Sequence, residues 1–279
     1  MKLDMGKAWD DAVALLMGNL GLIATVLGIF YFLPAFTIAL LFPEISNPTP
    51  PEIPPGASPE AAIEIFSGYI GDAYAGAWPF LIIGLLAQFA GAIATLALFS
   101  DRGAPTVGEA IKTGIQGTPS YLASQVIVMI GVVALISLIG GLAIAISPLL
   151  GIPVILLMVV GFVYIAIKLT LVPAIIGMEG VLNPIAAMKR SWVLTKGNSI
   201  LLFVFFLVLL ITVGLIAVIS SMVFGTIFSI VGGTAGQIGT SFFSSLIDAT
   251  TGGIFLIVVA AIHRQLSSST GDVDAETFE

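Results

Sequence analysis

Two ionisable side chains, Lys168 and Asp248, lie inside apolar runs of this 279-residue chain, and three cations, Lys189, Arg190 and Lys196, gather around Trp192 shortly after Glu179. A charge within a run long enough to cross a bilayer is costly, and by default it marks an ion, proton or substrate path. A cationic cluster beside an indole suits the anionic headgroups of an inner membrane surface. Gln88 and Gln125, also within apolar runs, suit hydrogen bonds between neighbouring helices, worth about 1 kcal/mol each. With one histidine, His263, no cysteine and scattered carboxylates, the chain offers no metal cluster, nucleophile triad or phosphate loop. No catalytic residue, metal or cofactor is therefore expected, and the chain reads as a non-enzyme.

Membrane-crossing helices must position those side chains. Hydrophobic residues make up 58% of the chain and charged residues 9%, with a mean hydropathy of +1.15, so polar side chains are too few to clothe a water-soluble globule. A hydrocarbon core of about 30 Å takes about 20 apolar residues per helix. Six segments meet that length: Asn19 to Phe42, Trp78 to Phe99, Tyr121 to Ile146, Ile152 to Val172, Asn198 to Met222 and Phe242 to Ile262. The expected fold class is an all-α integral membrane protein whose six transmembrane helices form three hairpins. The first apolar run exceeds the core of a cleaved leader and is expected to remain as a span.

Orientation follows from the basic residues. Lys2 and Lys7 precede the first segment, Arg102 and Lys112 follow the second, Lys189, Arg190 and Lys196 follow the fourth, and Arg264 follows the sixth. Short loops rich in Lys and Arg stay in the cytoplasm, so both termini are expected there, in a bacterial-type cytoplasmic (inner) membrane crossed several times. Residues 1–264 read as one membrane domain and 265–279 as an acidic, flexible cytoplasmic tail. The outer loop 43–77 is proline-rich, with a short helix expected from Ser58 to about Gly68 because Ser, Pro and Glu stand in N-cap order. A tight turn is expected around Pro148, Gly151 and Pro153. Residues 223–240, uncharged and glycine-rich, suit a loop or an interfacial or re-entrant segment. Nucleic acid is not an expected partner, since the nine basic residues are spread over separate segments.

A short pattern recurs along the chain. MGKAWDDAVALLMGN from Met5 and VGEAIKTGIQGTPSY from Val107 echo the region of Lys189. Aligning Ala8 with Ala110 and Ala187 places Ala12 over Gly114 and Ser191, Leu15 over Leu194, and Asn19 over Asn198. The expectation is a pseudo-threefold repeat, 1–100, 101–174 and 175–264, each unit an amphipathic cytoplasmic helix followed by a hairpin. The alternative is that any linker ahead of a hairpin tends to be amphipathic.

The segment VPAIIGMEGVLNPIAAMKRSWVLTKGN resembles the signature region of the glycerophosphoryl diester phosphodiesterase membrane domain family, through Pro173, Glu179, Ala187, Lys189, Arg190, Ser191, Trp192, Leu194, Thr195, Gly197 and Asn198. The resemblance implies a stand-alone membrane module, without the soluble phosphodiesterase domain to which relatives can be fused. It also places Glu179 beside the basic helix, where an ion pair or headgroup binding is expected. Lys168, near the cytoplasmic end of its helix, is expected to snorkel to the surface. Asp248 either caps polar neighbours near the outer interface or lines a path. The first functional reading is a scaffold or accessory module that contacts membrane lipids or other membrane proteins. The second is a small transporter or lipid-handling protein with a path between the hairpins.

Overall fold

The computed structural model describes residues 2–46, 51–100, 103 and 105–276. These residues are mostly helical, with no strand among them, and six helical runs are long and apolar enough to cross a membrane. In chain order the six spans are Leu20–Leu41, Trp78–Ala97, Val107–Ala143, Pro153–Glu179, Ser199–Val231 and Gly233–Ser268. The first span is a continuous run carrying a π-helical turn at Gly28–Phe32. The fourth closes on another at Ile175–Glu179, just beyond a bend at Thr170 and Leu171. Composition and length thus give a multi-pass α-helical membrane protein.

Local chemistry explains where several helices start. Asp4 caps Met5–Gly18 by accepting from Lys7 N at 3.0 Å, and Asn183 caps Pro184–Leu194 by accepting from Ala186 N at 3.0 Å. Thr106 and Glu109 form a reciprocal capping box at the head of Val107–Leu135. In the proline-rich loop Ser58 accepts from Ala61 N, as its sequence position suggests, but the helix runs Pro59–Ala75 rather than ending near Gly68. A single glycine costs a helix only about 1 kcal/mol, and the chain turns only at Gly76. Residues 47–50 of that loop, and Arg102, lie outside the described residues.

Three further differences have physical causes. The Val107 segment does not lie apart as a surface helix; it continues unbroken through Pro119 into the third span. Its Gly114 meets the Ala90 carbonyl and its Gly117 meets Ile93 and Ile176, so the first turns are clamped to the second and fourth spans in line with the helix that follows. Residues 223–240 form no loop, because the fifth span runs to Val231 and the sixth starts at Gly233. Gly232 and Gly233, at φ 67° and 56°, make the reversal, and Gly236 and Gly239 let the sixth span close on Phe228. The glycines here serve helix contact rather than irregular backbone. The last helix also continues past the sixth span, which ends at Ser268, to Glu276, so residues 265–276 of the expected tail are helical.

Buried residues concentrate at one end of the bundle, where the second, fourth and sixth spans contribute Ala92 to Phe99, Leu171 to Met178 and Leu256 to Ile262. Ala8, Ala12, Ala110 and Ala187 join them. Hydrocarbon solvent supplies no hydrophobic force between helices, so close packing of small residues holds this end. Gly177 is the tightest example on the fourth span, since a Cβ there would sit 2.7 Å from the Ile93 carbonyl oxygen. Away from that end the third and fourth spans expose Met129, Ile130, Leu138, Leu156 and Leu157, apolar side chains suited to lipid contact. Gly177→Ala should therefore lower stability by about 1–3 kcal/mol through overpacking, read as a lower thermal midpoint in detergent. Gly131→Ala, with open space around it, should leave the midpoint unchanged or slightly raised.

Candidate functional site

Glu179 stands where the fourth span stops. The π-helical turn Ile175–Glu179 ends at Gly180, whose φ of 67° turns the chain away and leaves the Glu179 carboxylate at the bundle's packed end. Arg190 Nε donates to both of its oxygens, at 3.3 and 3.4 Å, and His263 Nε2 lies 2.8 Å from Oε1. The His263 side chain is only 5% exposed. Of the three cations expected near Glu179, Arg190 makes the ion pair, whereas Lys189 and Lys196 form none among the described residues. His263, the chain's one histidine, is the second partner. The signal available was only that the chain's one histidine and Glu179 both close apolar runs facing the same surface.

Other polar ties surround this node. Arg264 Nη2 donates to the Phe99 carbonyl at 2.8 Å, Ser100 Oγ to the Met178 carbonyl at 3.1 Å, and Leu3 N to Asn198 Oδ1 at 2.8 Å. They join the start of the chain, the close of the second and fourth spans, the start of the fifth and the end of the sixth. This end, with its Lys and Arg, is called the basic end below.

Lys168 does not snorkel to water. The residue is 3% exposed, and its Nζ donates to the Thr195 carbonyl at 3.2 Å, while its own carbonyl accepts from Ser191 Oγ at 2.7 Å. Thr195 closes Pro184–Leu194, so the ammonium meets the negative end of that helix. The same Nζ lies 5.7 Å from the Tyr164 ring centre and 5.5 Å from that of Trp192, within cation–π range. The helix Pro184–Leu194 and its cap thus supply both the cover and partners for this ammonium.

Pro184–Leu194 is therefore pinned by one face and free on the other. Ala187, Ser191 and Leu194 are buried, whereas Ile185, Lys189, Trp192 and Lys196 form an exposed stripe at helical spacing. Apolar and cationic side chains on one stripe suit a helix lying at a bilayer surface, with the lysine stems along the apolar layer and the ammonium groups in the headgroups. Above it, between the third and fourth spans, two adjoining hollows of about 490 and 670 Å³ share Val128, Val132, Leu169 and Met188. Lys189 and Trp192 stand at the mouth of one, and Tyr121, Ser124, Gln125 and Thr170 add polar groups to the other.

The remaining candidates stay apart from this site. Gln125 Nε2 donates to Tyr121 Oη of its own helix at 3.1 Å instead of bridging two helices, and Gln88 is exposed without a hydrogen bond among the described residues. Asp248 is exposed on the sixth span with no ion pair or hydrogen bond among the described residues, so it caps no polar neighbour. It lies fifteen residues from His263, about 22 Å along the helix axis.

Fold and site define the class, a multi-pass α-helical membrane protein with its polar contacts gathered at one end of the bundle. No protein-family model, curated protein or solved structure matches this chain. Replacing Glu179 with Gln leaves Arg190 and His263 without their carboxylate and should cost about 1–2 kcal/mol, since the pair is only partly desolvated. Thermal unfolding in detergent checks this against Lys189→Gln, which should change stability by less than about 0.5 kcal/mol.

Proposed function

We propose that this chain is a non-catalytic integral membrane module that holds a phospholipid at the inner leaflet, between its third and fourth spans, and so serves as a lipid- and partner-binding scaffold. One observation carries the reading: an apolar crevice lined by Val128, Val132, Leu169 and Met188 opens beside the Trp192 ring and Lys189, which forms no ion pair among the described residues. An acyl chain fits the crevice, and the headgroup phosphate meets the lysine, each Lys near an anionic surface contributing about 1 kcal/mol. The closely packed Ala and Gly residues of the basic end support a scaffold over a transport path through the bundle.

The basic end faces the cytoplasm in this reading, in a bacterial-type inner membrane, because every described Lys and Arg falls on segments that flank it. Three hairpins related as repeats are part of the same proposal. The ungapped alignment of Ala8, Ala110 and Ala187 places three fully buried alanines in register, with Ala12, Gly114 and Ser191 buried one turn on. It also superposes the three caps, Asp4, Thr106 and Asn183, each accepting from the amide three residues later. The continuous helix at Val107 is the departure from strict repetition. Kinship with the glycerophosphoryl diester phosphodiesterase membrane domain family is proposed on the same segment, since Glu179 meets Arg190 and both Ser191 and Thr195 donate to the Lys168 carbonyl.

Native mass spectrometry of the full chain, gently extracted from vesicles containing phosphatidylglycerol, checks the lipid site. The expected result is retained lipid mass that falls several-fold in Lys189→Gln/Lys196→Gln and in Val128→Trp, which fills the crevice. Equal retention by wild type and both variants overturns the proposal. Arg190 is left intact because it holds Glu179.

A further inference from the structure

The outer half of the sixth span carries a polar face that the described residues leave uncovered at Ser244 and Asp248. Gln237, Thr240, Ser244, Asp248 and Thr251 recur at intervals of three and four residues, so they share one side of the helix over about 21 Å. Gln237, Ser244 and Asp248 are exposed, and none of the three forms a hydrogen bond or ion pair among the described residues. The other sides of the helix are occupied. Phe242 packs edge-on against Phe32 and Phe36 of the first span, at ring-centre distances of 5.1 and 5.7 Å, and Phe243 stacks on Phe224 of the fifth at 4.0 Å. Ser244 and Asp248 are exposed beside them, whereas Gln237 and Thr240 line a hollow shared with Leu40 of the first span and Phe228 of the fifth.

A second acid stands near the Gln237 end of this face. Glu44, just beyond the first span, is exposed and unpaired among the described residues, and with Gln237 and Thr240 it lines a hollow of about 890 Å³ at the outer end. Among the described residues no cation pairs with either carboxylate. No Lys or Arg occurs between Lys7 and Arg102, between Lys112 and Lys168, or between Lys196 and Arg264. A second copy in the same orientation has the same gap, so pairing two copies would set acid against acid. An unpaired carboxylate facing hydrocarbon is costly, and such groups in membrane proteins face a partner or a water-filled space.

We propose that this face is a docking surface for a transmembrane helix of another protein, one that carries a Lys or Arg in its outer third to meet Asp248. The occupant is a helix rather than a small cation because the face is linear, spans four turns, and presents hydrogen-bonding side chains along its whole length. Asp248 supplies the charge pairing, Gln237 and Ser244 supply hydrogen bonds, and Glu44 extends the negative field at the entrance. The depth of Asp248, about 22 Å from the basic-end histidine along the axis, sets where the partner's cation must lie.

The chain has no cysteine, so a single Thr234→Cys at the exposed tip takes one fluorophore cleanly. The full chain is reconstituted in vesicles with a leucine–alanine transmembrane peptide that bears an acceptor and one Lys in its outer third, and energy transfer is titrated against the same peptide with Leu at that position. The expected result is association about tenfold tighter for the Lys peptide, retained in Asp248→Glu and lost in Asp248→Asn. Asp248 is exposed, so neither substitution disturbs packing, and unchanged thermal midpoints verify that. Equal transfer to the two peptides overturns the proposal, as does a Lys preference that survives Asp248→Asn. Energy transfer between labelled copies that excludes the peptide also overturns it, in favour of a self-association face.

Discussion

A carboxylate shared between a guanidinium and an imidazole is the contact on which the basic end depends. Glu179 closes the fourth span, Arg190 belongs to the helix that follows, and His263 to the sixth span, so one side chain fixes three elements. The need for it comes from the solvent. Helices in hydrocarbon gain little from burying apolar surface against one another, because lipid tails are equally apolar. Alignment must then come from close contact of small residues and from polar ties at the level where water ends. Both occur here together, with Gly177 against Ile93 and Glu179 only two residues further along the same turn. Gly177 thus meets the second span while Glu179 holds Arg190 and His263, so one turn ties the fourth span to three neighbours.

Lys168 shows the same economy of position from the opposite direction. Its carbonyl receives Ser191 and Thr195 while its ammonium returns to the Thr195 carbonyl, so the fourth span and the basic helix exchange hydrogen bonds in both senses. The buried face of that helix is thereby committed, and its other face is left with Ile185, Lys189, Trp192 and Lys196 for the membrane surface.

The membrane class and the number of spans were legible in the sequence because hydropathy over about 20 residues is a long-range average that local packing barely disturbs. Helix caps were equally readable at Ser58 and Asn183, where an acceptor precedes proline. What misled was glycine. In residues 223–240 it reads as a loop former, yet Gly236 and Gly239 sit in a helix against Phe228, and only coordinates reveal the ring they make room for. The Val107 segment misled through its clean amphipathic pattern, which an in-plane helix and the buried first turns of a span share. At the site, Glu179 and Arg190 were readable as partners from their proximity in sequence. His263 was not, because a contact across 84 residues leaves no local trace. The turn of Lys168 away from water was hidden for the same reason, since its attractor is a carbonyl on another helix.

The reversal at Gly232 and Gly233 bears on how deep the protein sits. The fifth span has 33 residues, about 50 Å of helix, against a hydrocarbon thickness of about 30 Å. Transmembrane helices tilt by up to about 40°, which would still leave the span reaching about 38 Å. Asn198, bonded to the chain start, holds one end at the basic surface, so the surplus emerges at the other. Thr226, Ser229 and Thr234, polar but uncharged, are the side chains carried into that emergent turn. Hydrophobic mismatch thus gathers at the end away from the basic surface: in a thicker bilayer the tip of this hairpin would sink toward the acyl chains, and in a thinner one it would stand clear, while the packed basic end kept its level.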